Sequence, residues 1–189
     1  MKTKILPLKT NKVIYYNNSI IIMSEYAILI RKAQTKLKAA DHMLNMSYKL
    51  VPDSKILLSV ALNLQEALEN AMSAALEVER VFKRVPPYSD NFESKYSVFK
   101  NKLVKKNPKF KEGHDLLREL TDIKNAHKQS PVEFSREGKF VICNERYDLK
   151  TVDVSALKKY ISKAKVYIEQ SIILINASVG ILRWCKRRA

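Results

Sequence analysis

Apolar residues recur at intervals of three and four along most of the chain, and this pattern predicts long amphipathic helices. Residues 24–50 follow the spacing, with lysines on the opposite face. Val51-Pro52 ends this segment, and Asp53 or Ser54 is a typical N-cap for a second helix, which continues to about Phe82. Because the second segment is apolar around much of its circumference, we expect it to be the central helix of a bundle.

The polar residues Gln65, Glu66, Glu69 and Asn70 interrupt this apolar second segment. One interpretation makes them a functional polar stripe, and the other makes them a solvated or dimer-facing edge of the helix.

A third helical segment follows Val85-Pro86-Pro87, and Asp90 is its predicted N-cap. Its apolar residues are spaced by three and four, which predicts a core stripe formed by Phe92, Tyr96, Phe99 and Leu103. The alternative is a nucleic-acid platform, since aromatic rings stack on bases and lysines bind phosphates. The candidate nucleic-acid-binding residues are Lys100, Lys102, Lys105, Lys106 and Lys109.

The fourth helical segment starts after Asn107-Pro108 and ends before Pro131. His127 falls in its last turn, where the negative end of the helix dipole favours a positively charged imidazole. Two interpretations of this histidine remain open. It either caps exposed carbonyl groups at the helix end, or it takes part in phosphate chemistry together with the neighbouring Lys124.

After Pro131 the apolar period shortens. Residues 132–134 and 139–143 read as the strands of a short β-hairpin with Gly138 in its turn. The last helix runs from Ser155 to about Arg187, and its second half is so apolar that the body, a partner chain or the N-terminal arm must cover it. The predicted fold class is therefore all-α, an up-and-down bundle of four to five helices with a short β-hairpin before the last helix.

The length of 189 residues favours one domain. Residues 1–22 do not continue the helical pattern, so we interpret them as an N-terminal extension or arm, and residues 23–189 as a single helical-bundle domain. Met23 is followed by a normal helix entry. Two interpretations of the extension follow. In the first, Met23 is the natural start of the protein; in the second, residues 1–22 are an arm that docks on the body or on a partner.

The formal net charge of +16 predicts attraction to phosphate-rich partners, first RNA or DNA and then anionic lipid, with an acidic protein as the alternative. The two cysteines, Cys143 and Cys185, form no spaced ligand set with the histidines, so we expect no metal site. Such isolated thiols are typical of a reduced, cytoplasmic protein. Neither a membrane span nor a glycine-rich nucleotide loop is predicted, and no cofactor is expected.

Four long helices, a second helix containing Gln65-Glu66-Ala67-Leu68-Glu69-Asn70, and the stretch 122–127 before the final helix together form a recognisable layout. It resembles the HEPN superfamily (higher eukaryotes and prokaryotes nucleotide-binding) over roughly residues 24–178. The resemblance implies a helical bundle, commonly a homodimer. Many members cut RNA, whereas others are non-catalytic partners of a nucleotidyltransferase-like protein.

In catalytic members of this superfamily an Arg precedes the His with four to six residues between them. In this chain His127 takes the His position, but the residues at the Arg positions are Asp122, Thr121 and Leu120. Arg118 lies nine residues before His127, which in an unbroken helix is a rotation of about 900° and puts it on the opposite face. Lys124 shares the His127 face, although it lacks the forked guanidinium that binds phosphate through two hydrogen bonds.

Three functions follow from this pattern. The favoured one is a non-catalytic HEPN-like binding or regulatory module that acts on RNA or on a protein partner. The alternative is a metal-independent, toxin-like ribonuclease in which His127 is the general acid or base and Lys124 or Arg118 stabilises the charged phosphate. The third, a membrane-surface protein, comes last because a core already explains the apolar residues beside the lysines.

Overall fold

Helices make up most of the chain that the structure, a computed structural model, describes, namely residues 18–144 and 146–186. In chain order they are α1 (Asn18–His42), α2 (Tyr48–Leu50), α3 (Ser54–Val81), α4 (Phe92–Phe99), α5 (Lys111–Gln129) and α6 (Val154–Lys186). A π-helical turn, Met43–Ser47, joins α1 to α2, and a second, Lys100–Val104, continues α4. The described residues thus contain five helical rods, and the predicted number of four to five helices is confirmed.

The helix boundaries correct two details of the sequence analysis. Helix α1 begins at Asn18, so residues 18–22 of the predicted arm belong to the first helix, while residues 1–17 lie outside the described part. Asp53 caps α3, since its Oδ1 accepts a hydrogen bond from the Lys55 amide at 2.9 Å. The prediction of Asp90 as the cap of α4 is wrong, because Asn91 fills that position through the Ser94 amide.

Helix α3 is the centre of the bundle, as its apolar circumference predicted. It packs against α1, α5 and α6, and its alanines let those helices approach closely. Five of them are almost entirely buried, namely Ala61, Ala67, Ala71, Ala74 and Ala75. The aromatic stripe of α4 also faces the core, with Phe99 and Leu103 buried, so the core interpretation of that stripe is confirmed.

A three-stranded antiparallel sheet replaces the predicted two-stranded hairpin. Strands β1 (Val132–Arg136) and β2 (Lys139–Cys143) are the expected pair, and β3 (Leu149–Val152) adds to the other side of β2. The sequence did not indicate β3, because only Val152 of its four residues is buried and no apolar alternation marks it. The all-α prediction is therefore corrected to a helical bundle with a small sheet before the last helix.

The sheet is attached to the bundle through one of its faces. Phe140, Ile142 and Val152 are buried in the main hydrophobic core. The Tyr48 hydroxyl donates a hydrogen bond to the Gly138 carbonyl at 3.3 Å, and the Ser54 and Ser135 hydroxyls are hydrogen bonded to each other. Such support is necessary because a small isolated sheet is marginally stable in water.

The second half of α6 is covered by the body of the molecule on one side. Ile175 packs with Ala74 and Val78 of α3 in a small apolar cluster that also contacts α1, whereas Ile173 is about half exposed. The side chains beyond residue 178 lie outside the described part. Within the described residues, no helix has both the length and the apolar character required to cross a membrane.

Helices α5 and α6 meet at a close contact that only glycine permits. A Cβ atom on Gly113 would lie 2.5 Å from the Tyr167 Cβ, well inside van der Waals contact. The next residue, His114, is buried and stacks on the Tyr96 ring with a centroid separation of 3.8 Å. Neither nitrogen of the His114 ring has a hydrogen-bond partner in the described part of the chain. Burial lowers the pKa of His114 from 6.5 to about 4.

Buried His114 makes stability depend on pH. The unfolded chain takes up a proton near pH 6.5, whereas the folded chain resists protonation until about pH 4, so stability is lost as the pH falls through that range. His114→Phe keeps a stacked ring but cannot take up a proton. When the pH falls from about 7 to 5, we expect the free energy of unfolding to fall by about 2 kcal/mol more in the original protein than in His114→Phe. Urea unfolding of both proteins at the two pH values measures this difference, and an equal loss in both would contradict it.

Candidate functional site

His127 is held by a carboxylate from the neighbouring strand. Its Nδ1 lies 2.6 Å from Glu133 Oε1, which places a contact between the last turn of α5 and β1. Since a carboxylate only accepts hydrogen bonds, Nδ1 carries the proton in this contact. The ring is therefore bound to Glu133 instead of capping the carbonyl groups at the helix end. Sequence reasoning missed Glu133, because only the turn at Pro131 brings it back to His127.

Lys124 is bound to the central helix, α3. Its Nζ donates to Gln65 Oε1 at 2.9 Å, and Gln65 Nε2 donates to Glu69 Oε2 at 2.7 Å. Gln65 is only 1% exposed. For Gln65, the interpretation of the polar stripe as a solvated edge is therefore wrong: this amide is an interior group that Lys124 and Glu69 satisfy.

Arg118 is bound to a third partner, on α4. Its two terminal nitrogens each lie 2.7 Å from an oxygen of Glu93, and its guanidinium sits 4.4 Å from the centre of the Tyr96 ring. The guanidinium lowers the pKa of the Glu93 carboxyl, and the carboxylate raises the pKa of Arg118. The forked geometry that would suit a phosphate is occupied by a carboxylate.

The three candidate catalytic residues thus contact three different acceptors. His127 is bound to Glu133, Lys124 to Gln65 and Arg118 to Glu93. No hydrogen bond or ion pair in the described part of the chain joins any two of them. In a single copy of the chain each of the three is held by a different side chain.

The five candidate nucleic-acid-binding lysines are arranged differently. They lie in residues 100–111, hereafter the lysine segment, which also includes Lys111 and contains no acidic residue. All six lysines are exposed. The nine ion pairs between described residues all lie outside this segment. Their ammonium groups are therefore available to a ligand.

Buried residues fix the lysine segment to the bundle. The Leu103 and Phe110 side chains are 3% and 0% exposed, so the segment is anchored in the core at two points. Between them, the Asn107 side chain accepts from the Lys109 amide at 3.2 Å and donates to Gln170 Oε1 on α6 at 3.4 Å. The lysines thus project from a backbone whose position is set by packing.

Two grooves lie between the lysine segment and α6. One, of about 400 Å³, includes Lys109, Ser162 and Lys163. The other, of about 310 Å³, includes Lys106 and Gln170. Both therefore place a lysine of the segment beside polar groups of α6.

Acidic side chains collect on a different face, between α1 and α3. A groove of about 540 Å³ there is lined by Glu25, Glu66, Glu69, Glu77 and Asp90. Lys36, Arg80 and Lys95 form ion pairs with three of these carboxylates, Glu66, Glu77 and Asp90, which leaves Glu25 and Glu69. The remaining negative charge repels an anionic ligand, so the lysine segment is favoured over this face for phosphate binding.

Comparison of the chain with protein families, with curated proteins and with solved structures finds no match in any of the three. The HEPN resemblance therefore stays a prediction. In the described residues no three histidine, cysteine, aspartate or glutamate side chains cluster in a way that would hold a metal ion. The function has to be inferred from the geometry of the side chains themselves.

The contact between Lys124 and Gln65 predicts a structural role for this lysine. We expect Lys124→Met to lower the free energy of unfolding by about 1–3 kcal/mol, because it leaves the buried Gln65 carbonyl oxygen without a donor. Lys128→Met, an exposed change one turn later on the same helix, is the control. Urea unfolding measures both, and adding Gln65→Leu to Lys124→Met should restore part of the loss. Equal stability of the two single variants would contradict this role.

Proposed function

We propose that the protein is a non-catalytic, HEPN-like binding or regulatory module whose lysine segment holds the phosphates of RNA. The observation that supports this proposal is the set of six exposed lysines without an acidic partner, fixed to the core by Leu103 and Phe110. By contrast, two cations elsewhere in the molecule, Lys124 and Arg118, are bound to protein acceptors.

Phosphate binding by this segment follows from simple electrostatics. Ammonium groups that neutralise phosphates release counterions, and this release supplies most of the sequence-independent affinity for nucleic acid. No internal ion pair has to be broken first, since the lysines have no carboxylate partner among the described residues. The polar groups of α6 in the adjoining grooves, Ser162 and Gln170, add hydrogen-bonding capacity for ribose or base.

The same surface suits one alternative within this class of function, an acidic protein partner such as a nucleotidyltransferase-like protein. A homodimer, which the family resemblance implies, is compatible with either ligand. We favour RNA because each lysine is a flexible point charge that can neutralise a separate phosphate. An RNA-binding measurement on the protein alone distinguishes the two ligands.

We expect Lys102→Gln, Lys105→Gln and Lys106→Gln, made together, to weaken binding of a single-stranded oligouridylate about tenfold or more at moderate salt. The plot of log Kd against log salt concentration should become shallower by about 2, since each lost phosphate contact removes about 0.7 from the slope. Fluorescence anisotropy across a salt series measures both quantities.

The matched control changes Lys38, Lys49 and Lys55 to Gln, which removes the same charge from exposed positions on other elements. It should leave the affinity within about twofold of the original protein. Equal weakening by both triple variants would mean that only net charge matters. An affinity independent of salt, or no RNA binding at low salt, would overturn the RNA proposal and leave the protein partner.

The contact between His127 and Glu133 supports a second candidate function, the metal-independent ribonuclease. A carboxylate that fixes one ring nitrogen leaves the other free to exchange a proton with substrate, which is how histidine acid–base catalysts are held. The missing element is a cation for the charged transition state, because Lys124 and Arg118 are bound elsewhere.

For this reason we expect no cleavage of a labelled single-stranded RNA by the purified protein in EDTA. His127→Ala and Glu133→Gln serve as the comparison, with circular dichroism to show that each variant is folded. Cleavage that disappears in His127→Ala and falls in Glu133→Gln would contradict the non-catalytic proposal and establish the ribonuclease.

A further inference from the structure

The hairpin formed by β1 and β2 has a tight turn that fixes which backbone groups face its partner strand. Arg136 pairs with Lys139 across a two-residue turn, and Glu137 and Gly138 have φ angles of 50° and 71°. These values are those of a type I′ turn. In such a hairpin the residues that flank the turn exchange two hydrogen bonds, and hydrogen-bonded pairs alternate with non-bonded pairs along the ladder.

This alternation leaves the outer edge of β1 with free backbone groups. Val132 and Phe134 bond to β2, so the amide and carbonyl groups of Glu133 and Ser135 point away from the sheet. None of these four groups has a hydrogen-bond partner in the part of the chain that the structure describes. An open edge of this kind is a template for another extended chain.

Exposed apolar side chains also lie on this strand. Val132 and Phe134 are on the same face of the sheet as Val141, which pairs with Phe134 across the hairpin. Val141 is buried, whereas Val132 and Phe134 are 54% and 39% exposed. Exposed apolar groups beside an unpaired strand edge are typical of an interaction surface.

The charge at the turn selects the partner. Arg136 and Lys139 lie directly opposite each other, and both are exposed. Arg136 is paired with Glu137 at 3.7 Å, and this highly exposed pair contributes little. A second copy of this chain would bring a further formal charge of +16, which opposes self-association. An acidic segment is therefore favoured.

We propose that the outer edge of β1 binds an extended segment of a partner protein, which adds to the sheet as a fourth strand. Its backbone pairs with Glu133 and Ser135, alternate apolar side chains contact Val132 and Phe134, and a carboxylate faces Arg136 and Lys139. RNA does not fit this edge, since it has no row of amide and carbonyl groups at strand spacing. The inference is independent of the RNA-binding proposal, which concerns the lysine segment.

The test uses the full chain, labelled with ¹⁵N, and an acetylated peptide of alternating valine and threonine with glutamate at both ends. We expect the peptide to shift the amide signals of Glu133 and Ser135 and to slow their hydrogen exchange. The same peptide with lysine at both ends should bind several-fold more weakly, because it meets Arg136 and Lys139 with like charge.

Matched variants identify the backbone contact. Ser135→Pro removes an outward donor while the bonds to β2 remain, and Ser135→Ala removes only the hydroxyl. We expect Ser135→Pro to bind the peptide about tenfold more weakly than Ser135→Ala. If the proline variant does not fold, Phe134→Ser gives a second comparison, because it removes an apolar contact without changing the charge of the edge.

Several results would overturn the proposal. One is equal affinity of Ser135→Pro and Ser135→Ala, or of Phe134→Ser and the original chain. A second is that the peptide slows amide exchange at Leu149 and Thr151 of β3 and not at β1. A third is that exchange of the β1 amides slows as the protein concentration rises in the absence of peptide, which would identify a second copy as the partner. An oligouridylate that shifts the Glu133 and Ser135 signals would assign the edge to RNA.

Discussion

The burial of α3 on three sides is the constraint on which the rest of the structure depends. Its alanines allow α1, α5 and α6 to approach, and almost every other element reaches the core through this helix. A helix in that position has little access to water, so each polar group on it needs a protein partner. Gln65 is the clearest case, and Lys124 and Glu69 are the groups that satisfy it.

This constraint separates the cations of the chain into two kinds. Lys124 and Arg118 are held by groups on α3 and α4, and removing Lys124 would leave the buried Gln65 carbonyl without a donor. The lysine segment is different, because its core contacts come from Leu103 and Phe110 and its charges remain in solvent. Two of the three candidate catalytic residues, Lys124 and Arg118, thus have protein partners, whereas the lysines of the segment have no ion-pair partner among the described residues.

The sequence predicted the architecture well where helical periodicity dominates. The helical rods and the hairpin follow from apolar spacing, caps and the glycine at the turn. Strand β3 was missed because three of its four residues are exposed, and the cap of α4 was placed one residue early since Asp90 and Asn91 are equally good caps.

The site was harder to predict, for a physical reason. Side-chain partners such as Glu133 for His127, Gln65 for Lys124 and Glu93 for Arg118 come from other elements, and no local pattern encodes them. The exposed lysines were predictable, because a run of lysines without acids is visible in the sequence itself. That these lysines form no ion pair only became visible in the fold.

The central claim, that the lysine segment is the ligand-binding surface, is tested most directly by mapping amide chemical shifts of the full chain on addition of a single-stranded oligouridylate. The account predicts that the largest changes occur in residues 100–111 and in the adjoining turn of α6 around Ser162 and Lys163. Changes centred on His127 and Glu133, with residues 100–111 unaffected, would contradict it and point to the alternative catalytic site.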